Sequence, residues 1–345
     1  MTEVVTYADS GVDLEAARRA KARISELVEG TRTDAVASSF GSFGGRFVST
    51  PGRELVASAD GVGTKLKVAF LSGRHDTVGA DLVNHCVNDI LAEGARPLIF
   101  MDYVACGTLD PDVVADVVAG LAGACRENGC ALVGGETAEM PDFYGEGEYD
   151  LAGFIVGEVA WPELTRRDPA VGDALIGLPS NGFHTNGYSL VRKLVFERLG
   201  LTVDDAFPGS DASVADVLLA PHRSYLRELE PSLDAGRIRA LAHITGGGIP
   251  GNLDRVLGPS LDAVVDVDTW SIPNEFQVMA EASGAPAEEL FRTFNMGVGM
   301  IAVVRADDAE AVLTEVGAAG GAAFICGSVV EGIGEVRLEG EAATA

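Results

Sequence analysis

Apolar and polar residues recur along this chain with two different periods, and short glycine-rich polar segments separate the periodic stretches. Residues 54–59 alternate at every second position, which predicts a β-strand. Residues 77–93 repeat apolar positions at helical spacing, and residues 98–104 form a strand-like apolar run. Asp110 and Pro111 are typical of the N-cap and the first position of a helix. Asn128 and Gly129 are predicted to end this helix. The first half of the chain is therefore predicted to mix strands and helices.

A polar segment at residues 162–173 is the best candidate for a linker between two domains. Before it, a short strand at residues 131–133 is expected to enter a glycine-rich turn at Gly134-Gly135, and residues 151–159 predict another strand. After it, the expected elements are a strand at 174–178, a helix at 188–199, a helical region from Pro221, strands at 263–267, 299–304 and 323–329, and a helix at 307–316. We therefore predict two domains of α+β or α/β type, residues 1–169 and residues 170–345.

Length and composition agree with this division. A chain of 345 residues exceeds the size at which one hydrophobic core usually stops growing, and 47% of its residues are hydrophobic. No uninterrupted apolar run reaches the roughly 18 residues that a membrane span needs. Residues 1–11 lack the basic and then apolar pattern of a secretory signal. We therefore expect a globular protein that resides in the cytoplasm and has no membrane partner.

The charge balance narrows the choice of ligands. Lys and Arg number 25 against 52 Asp and Glu, a formal net charge of −27, and such a field repels nucleic acid. A small anionic ligand is still compatible with it, because backbone amides and Mg²⁺ can overcome the field locally. The five cysteines show neither a CxxC pair nor metal-type clustering, so we interpret them as buried thiols.

Two polar segments of the first half carry candidate chemistry. Asp60-Gly61-Val62-Gly63-Thr64-Lys65 follows a predicted strand and suits Mg²⁺ together with a polyphosphate, although an ordinary glycine-rich turn has the same spacing. The predicted helix at 77–93 has five polar residues on one face, namely Asp81, Asn84, His85, Asn88 and Asp89. Because Asp and Asn are poor helix formers, this face favours a binding site. A solvated face, and a structural role for His85, stay open as alternatives.

Three further glycine-rich segments could bind anions. Residues 40–46 form a loop whose amides could close over phosphates, and residues 180–187 and 243–248 each precede a predicted helix. A flexible loop and simple N-capping are the alternatives. No Walker A motif occurs, no GxGxxG follows a predicted strand, and no GxSxG lies at a strand-to-helix turn, so covalent catalysis has no obvious nucleophile. The residue inventory favours phosphoryl transfer, in which positioning and charge neutralisation dominate.

These motifs, in this order, resemble those of the phosphoribosylformylglycinamidine cyclo-ligases, also called aminoimidazole ribonucleotide synthetases, and the resemblance runs nearly end to end. Asp89 followed by Gly94-Ala95-Arg96-Pro97 is similar to a signature of the wider superfamily. The strings that point to the cyclo-ligases themselves are Gly134-Gly-Glu-Thr-Ala-Glu-Met-Pro141 and Thr293-Phe-Asn-Met-Gly297. Further matching strings are Tyr7-Ala-Asp-Ser-Gly-Val-Asp13, Asp60 to Lys65, His184-Thr-Asn-Gly-Tyr-Ser-Leu190 and His243-Ile-Thr-Gly-Gly-Gly248.

The resemblance implies a two-domain cyclo-ligase architecture in which the N-terminal sheets of two subunits pair into a barrel across a homodimer. The N-terminal domain would bind ATP and the C-terminal domain the substrate. ATP would activate the formyl oxygen of formylglycinamidine ribonucleotide as a phosphate ester, and a substrate nitrogen would then displace phosphate. The expected products are 5-aminoimidazole ribonucleotide, ADP and phosphate.

The resemblance also suggests which residues carry the reaction. Asp60 and Asp89 are the expected Mg²⁺ ligands, with Asp102 a third. Lys65 would neutralise phosphate charge as a catalytic residue, and His184 or His243 would transfer protons. The expected nucleotide-binding residues are Gly44, Gly45, Asp60, Gly61, Gly63, Thr64, Lys65 and Asp89. The expected substrate-binding residues are Asn186, Thr245, Gly246, Gly247, Gly248 and Asn295.

Departures from the family pattern define the alternatives. Ala8 stands where a lysine is expected, which puts in doubt a nucleotide contact at that position. Selenophosphate synthases carry a reactive cysteine in the N-terminal glycine loop, whereas the first cysteine here is Cys86. The alternative functions are a formylglycinamidine-forming amidotransferase subunit, a thiamine-phosphate kinase and a non-catalytic nucleotide-binding subunit.

Overall fold

The structure is a computed structural model that describes residues 4–12, 14–164 and 168–343. Its strands form two sheets, one from each half of the chain, and helices pack on both. The predicted mixture of strands and helices in two units is confirmed. Residues 165–167 of the predicted linker lie outside the described residues, so the boundary between residues 169 and 170 stays a prediction.

The first sheet contains the strands β1 (Gly45–Thr50), β2 (Arg53–Gly61), β3 (Ala95–Cys106), β4 (Ala131–Glu139) and β5 (Tyr149–Val159). Their spatial order is β1-β2-β5-β3-β4, and each pair is antiparallel except the parallel pair β3 and β4. The helices of this half are α1 (Leu14–Glu29), α2 (Leu66–Ser72), α3 (Asp76–Ala92) and α4 (Pro111–Glu127).

Helix α3 is held in place by close contact with α4. A Cβ atom at Gly79 would lie 2.2 Å from the Val117 carbonyl oxygen, and one at Gly120 would lie 1.9 Å from the Asp76 carbonyl oxygen. The two helices therefore approach with their backbones in contact, which only glycine permits. Asp110 accepts hydrogen bonds from the first amides of α4, as its N-cap position predicts. This packing directs the polar face of α3 toward the second half of the chain.

The second sheet contains β6 (Ala174–Pro179), β7 (Ile238–His243), β8 (Leu261–Asp266), β9 (Val298–Val304), β10 (Phe324–Glu331) and β11 (Val336–Glu339). Its order is β11-β8-β10-β6-β9-β7, antiparallel except between β11 and β8. Its helices are α5 (Tyr188–Arg192), α6 (Val214–Leu218), α7 (Leu226–Asp234), α8 (Pro250–Leu253), α9 (Asn274–Ser283), α10 (Ala287–Thr293) and α11 (Ala309–Ala318). Every residue of β9 is buried, so the core of this half lies around that strand.

Three predicted boundaries differ in the structure. The expected turn at Gly134-Gly135 is wrong, because β4 continues through both glycines and pairs with β3. The helix expected from Pro221 begins only at Leu226, since side chains of α3 bind the backbone before it. The helix predicted at 188–199 is α5 extended by a π-helical segment, Lys193–Arg198. Within the described ranges, no helix combines the length and the apolar character that crossing a membrane requires.

Candidate active site

The polar face of α3 lies against the segment that precedes α7. Its side chains bond backbone atoms of that segment: Asp81 accepts from the His222 amide at 2.6 Å, Asn84 donates to the His222 carbonyl at 2.7 Å, and Asn88 donates to the Arg223 carbonyl at 2.8 Å. These side chains take the place of the backbone partners that an irregular buried segment lacks. Much of the face that we assigned to ligand binding or to solvent therefore joins the two halves of the molecule.

Lys65 lies fully buried beside this face. Its ammonium group is 2.8 Å from Asp81 and also donates to the carbonyl oxygens of His184 at 3.1 Å and Ala220 at 2.8 Å. Burial lowers the pKa of Lys65 and raises the pKa of Asp81, while the attraction between the two groups opposes both shifts. All three donors of the ammonium are used within the protein. The contact of Lys65 with phosphate stays a prediction, and it would require one of these bonds to break.

Four of the five histidines of the chain come together next to this ion pair. The ring of His184 stacks on that of His222 with 4.0 Å between their centroids. His222 Nε2 lies 3.0 Å from His243 Nε2, and its Nδ1 lies 3.4 Å from the Thr185 hydroxyl. The same hydroxyl is 2.9 Å from His85 Nδ1. A hydrogen-bonded path thus connects the two halves of the molecule.

Each end of this path reaches an aspartate that we predicted as a metal ligand. His85 Nε2 is 2.7 Å from Asp60 Oδ2, and His243 Nδ1 is 2.8 Å from Asp89 Oδ1. Asp89 also accepts a hydrogen bond from the Ser58 hydroxyl at 3.1 Å. Asp60 stands at the end of β2 and Asp89 on α3, so sheet and helix together position the two carboxylates.

The carboxylates control the charge of His85. Burial opposes a charged ring, but Asp60 and then Asp89 outweigh it and raise the pKa of His85 to about 9. Burial alone would raise the pKa of Asp60, and the neighbouring His85 instead lowers it. At neutral pH His85 is therefore a cation held between carboxylates. This point of the site is built to hold positive charge.

The predicted nucleotide-binding glycines lie at two places along β2, Gly61 at its end and Gly45 in register with Ala57. Gly61 ends β2, and Gly63 and Thr64 form an exposed turn whose Thr64 hydroxyl is 3.3 Å from the Ser189 hydroxyl. Gly44 and Gly45 lie where the glycine loop enters β1. A Cβ atom at Gly44 would lie 2.7 Å from the side chain of Val56 in β2, so a larger residue at position 44 would displace Val56.

The predicted substrate residues fall into two groups. Asn186 and Gly246 are neighbours, because a Cβ atom at Gly246 would lie 3.5 Å from Asn186 Oδ1. The Thr245 hydroxyl donates to Asn252 at 3.2 Å, and Asn252 in turn donates to the Gly248 carbonyl at 2.7 Å, which shapes the loop that includes Gly247. Asn295 is buried, accepts from Ser180 and donates to the carbonyl of residue 182. The structure thus gives Asn295 a role in holding the loop that starts at residue 180.

Asp102 does not join Asp60 and Asp89. Its strand position is in register with Gly153, which is itself in register with Asp60, so two strand spacings of about 5 Å separate the two aspartates. Leu82 and Phe100 pack over Gly153 between them. Burial raises the pKa of Asp102, and no cation among the described residues counteracts this shift. A shared metal ion with Asp102 as a third ligand is therefore not supported by this placement.

Sequence reasoning missed three residues of the site. His222 was expected within a helical region, and Thr185 and Ser58 were passed over as ordinary polar residues of a motif and a strand. None of the three belongs to a pattern with metal-ligand or catalytic spacing. Their roles follow from partners 21 to 141 positions away, such as Ser58 with Asp89 and Thr185 with His85.

Two of the clustered histidines predict how stability depends on pH. Burial, reinforced by nearby positive groups, holds the pKa of His184 and of His222 well below the ordinary value of 6.5. In the unfolded chain both rings bind protons as the pH falls through 6.5, whereas in the folded protein they stay neutral. The free energy of unfolding is therefore expected to decrease below pH 6.5, by about 1.4 kcal/mol per pH unit for each ring, until the lower folded pKa is reached.

Urea unfolding between pH 7.5 and 5.5 measures this slope. The His222→Asn variant should lose about 1.4 kcal/mol per pH unit of this slope below pH 6.5, because one ring that stays neutral in the folded protein is removed. An equal slope in the variant and the original protein would contradict the assignment. His85 acts in the opposite direction, because its pKa is raised to about 9: the stability it contributes is complete below pH 6.5 and is lost as the pH rises toward 9.

Comparison with known proteins identifies the family of this chain. The family model described as AIR synthase related protein, N-terminal domain, matches residues 19–159, and the model for the C-terminal domain matches residues 170–339. Among solved structures, a protein from Thermus thermophilus superimposes with a TM-score of 0.65 at 22% identity, covering 94% of this chain and 96% of that chain. Thiamine-monophosphate kinase from Stenotrophomonas maltophilia superimposes with a TM-score of 0.60 at 17% identity, covering 92% and 95%. These two likenesses concern the fold alone.

Curated relatives are far more similar in sequence. Phosphoribosylformylglycinamidine cyclo-ligase of Trichlorobacter lovleyi is 46% identical over 329 residues, which is 94% of each chain. The enzyme of the same name from Alkaliphilus metalliredigens is 45% identical over 340 residues, covering 97% of this chain and 98% of that one. Identity at this level over nearly the whole length confirms the resemblance seen in the motifs. The chain belongs to the phosphoribosylformylglycinamidine cyclo-ligase family.

Proposed function

We propose that this protein uses ATP to close the imidazole ring of formylglycinamidine ribonucleotide, forming 5-aminoimidazole ribonucleotide, ADP and phosphate as a step of purine biosynthesis. The observation that carries the proposal is the 46% identity to a cyclo-ligase along 94% of both chains. In support of it, Asp60, Asp89, His184 and His243 of the matching motifs lie in one connected group with His85 and His222 between the two halves of the chain. We expect the reaction to take place in the cytoplasm.

The chemistry of ring closure explains why positioning matters here. The formyl oxygen is a poor leaving group, and transfer of a phosphoryl group to it removes that obstacle. Such transfer needs the nucleotide and the substrate in line, with their charge neutralised. The exposed turn at Gly63 and Thr64, which follows Gly61 at the end of β2, offers backbone amides for the nucleotide phosphates.

Asp60 and Asp89 fit the requirements of a Mg²⁺ ion that accompanies ATP. Mg²⁺ is commonly held by one or two carboxylates, with phosphate oxygens and water completing its shell. Asp60 is one-third exposed and opens toward the nucleotide turn, while Asp89 lies deeper beside His243. When bound, Mg²⁺ would neutralise the phosphates. Asp102 is left out of this proposal because of its distant position.

The substrate and the proton transfer are assigned to the second half of the chain. Asn186 and the loop from Thr245 to Gly248 would bind the ribonucleotide and its 5′-phosphate, with Asn295 holding the adjacent loop. His243 contacts both Asp89 and His222, whereas His184 contacts no carboxylate in the described part of the chain and accepts a hydrogen bond from the Asn181 amide. We therefore assign proton transfer during ring closure to His243 rather than His184. Lys65 is assigned to positioning, since its donors hold the two halves together.

Substrate-dependent release of ADP tests the function. Purified protein is incubated with Mg²⁺ and ATP, and with formylglycinamidine ribonucleotide, formylglycinamide ribonucleotide plus glutamine or ammonia, or thiamine phosphate. Ring closure predicts strong stimulation by the first substrate alone. Stimulation by thiamine phosphate would favour a kinase, and stimulation by formylglycinamide ribonucleotide with its nitrogen donor an amidotransferase subunit. ATP binding without turnover on any of them would favour a non-catalytic subunit.

We also propose that the protein is a homodimer in which the first sheets of two copies pair. The face of this sheet opposite α3 carries exposed apolar side chains. Phe154 is in register with Met101 on one side and Ala59 on the other, and Phe47 lies on the same face of β1. Phe154, Met101 and Phe47 are 44%, 39% and 47% exposed. An apolar sheet face of this kind is typical of a subunit interface.

The Phe154→Asp variant tests this interface. A charge at the centre of a buried apolar contact is expected to weaken dimerisation by about 100-fold or more, the loss seen for central aromatic anchors. Sedimentation equilibrium at micromolar concentration measures the change. Ile333→Asp is the matched control, because Ile333 is an exposed apolar residue of the second half and should leave the dimer intact. A monomeric original protein, or equal association of both variants, would contradict the proposal.

A further inference from the structure

The histidines and aspartates of the site also form a set of ligands that suits a different class of metal ion. His85 and Asp89 lie one turn apart on α3, and His243 ends β7. One nitrogen or oxygen atom of each lies within 4.8 Å of the others, and all three residues are buried. Two imidazoles and a carboxylate at this spacing are typical ligands of borderline divalent cations.

A second carboxylate, that of Asp60, contacts one member of this set. Asp60 Oδ2 faces His85 Nε2 at 2.7 Å, just as Asp89 Oδ1 faces His243 Nδ1 at 2.8 Å. Each ring nitrogen now shares a proton with its carboxylate. A divalent cation can take the place of these shared protons and bind two nitrogens and two oxygens, and the two carboxylates would balance its charge.

The remaining nitrogens of both rings already have partners. His85 Nδ1 is 2.9 Å from the Thr185 hydroxyl, and His243 Nε2 is 3.0 Å from His222 Nε2. Histidines that bind metals almost always use their second nitrogen in this way, which orients the ring toward the ion. Asp60 is 34% exposed, so an ion can enter from the nucleotide side. The site therefore has both an oriented ligand set and an access route.

We propose that Asp60, His85, Asp89 and His243 bind one Zn²⁺ or Co²⁺ ion with tetrahedral geometry. Imidazole nitrogens favour these ions over Mg²⁺, which prefers an all-oxygen shell. The site uses the same carboxylates as the Mg²⁺ site of the proposed function. Zn²⁺ therefore inhibits ring closure by competing with Mg²⁺ and ATP. This inhibition rests on the proposed function, whereas the binding of the ion does not.

Titration of the metal-stripped protein with Co²⁺ tests the binding. Tetrahedral Co²⁺ gives a strong visible absorption band, which should saturate at one ion per chain and disappear on addition of Zn²⁺. His85→Gln and His243→Asn should each weaken Co²⁺ binding by about 100-fold, since each loses one of four ligands. His75→Asn is the matched control. His75 is the histidine outside the cluster, bonded to Tyr149 at 3.0 Å, and its loss should leave Co²⁺ binding unchanged.

Three results would overturn the site: no tetrahedral band with the original protein, a band that shows sulfur ligation by one of the cysteines, or full binding in both cluster variants. If a variant does not fold, X-ray absorption of the Zn²⁺-loaded original protein decides, and fewer than two imidazole ligands would refute the assignment. Co²⁺ binding without inhibition of ring closure by Zn²⁺ would refute the competition. Co²⁺ binding in a protein that closes no ring would refute the proposed function and leave the metal site standing.

Discussion

The Asp89→Asn variant is expected to lose about 100-fold or more in turnover while remaining folded. Asparagine keeps the shape of the side chain and removes the charge that Asp89 presents to Mg²⁺ and to His243, 2.8 Å away. A 100-fold loss corresponds to about 3 kcal/mol of transition-state stabilisation. Raised Mg²⁺ should restore part of the rate, because a weakened site fills at higher concentration. Release of ADP at two Mg²⁺ concentrations measures both effects.

Thermal melting of the same preparation separates this role from a structural one. If Asp89 only supported the fold through Ser58 and His243, the variant would melt earlier and its folded fraction would turn over normally. Asp204→Asn is the matched control, since Asp204 is an exposed aspartate of the second half and should change neither property. A stable Asp89→Asn variant with unchanged turnover would remove Asp89 from the site.

The Lys65→Met variant is expected to lose about 3–5 kcal/mol in the free energy of unfolding. Lys65 and Asp81 form an ion pair whose side chains are both fully buried, and removing one partner leaves the other charge without compensation. The same change removes the bonds of the ammonium to the His184 and Ala220 carbonyls. Urea unfolding measures the loss, and the Lys65→Met/Asp81→Asn double variant should recover part of it, because asparagine removes the unpaired charge and keeps an acceptor for the His222 amide.

Lys67 provides the matched control for this change. It lies two positions after Lys65 and forms an ion pair with Glu148, but both side chains are 39% exposed. Exposed pairs contribute little, so Lys67→Met should cost less than about 1 kcal/mol. If Lys65 acts instead by contacting phosphate, Lys65→Met would keep its stability and lose turnover, which is the pattern expected from the motif alone.

Local patterns of the chain were enough to predict most of the fold. Helix α3 occupies residues 76–92 where helical spacing predicted 77–93, and the cap at Asp110 begins α4 as expected. Both features depend on residues within a few positions of each other, where period and capping act directly. The family could also be predicted from the sequence, because its motifs are contiguous strings of residues that can be recognised without the fold.

The partners of the site residues could not be predicted in this way. Asn84 bonds the backbone of His222, 138 positions away, and Lys65 bonds that of His184, 119 positions away. A polar side chain on a helix has the same local pattern whether it meets solvent, a ligand or another domain. Which of these it meets depends on how the two sheets pack, and that packing also buries Lys65 and brings His222 to His243. The motifs therefore indicated which residues carry the chemistry, and the contact between the two halves of the chain determined how those residues act.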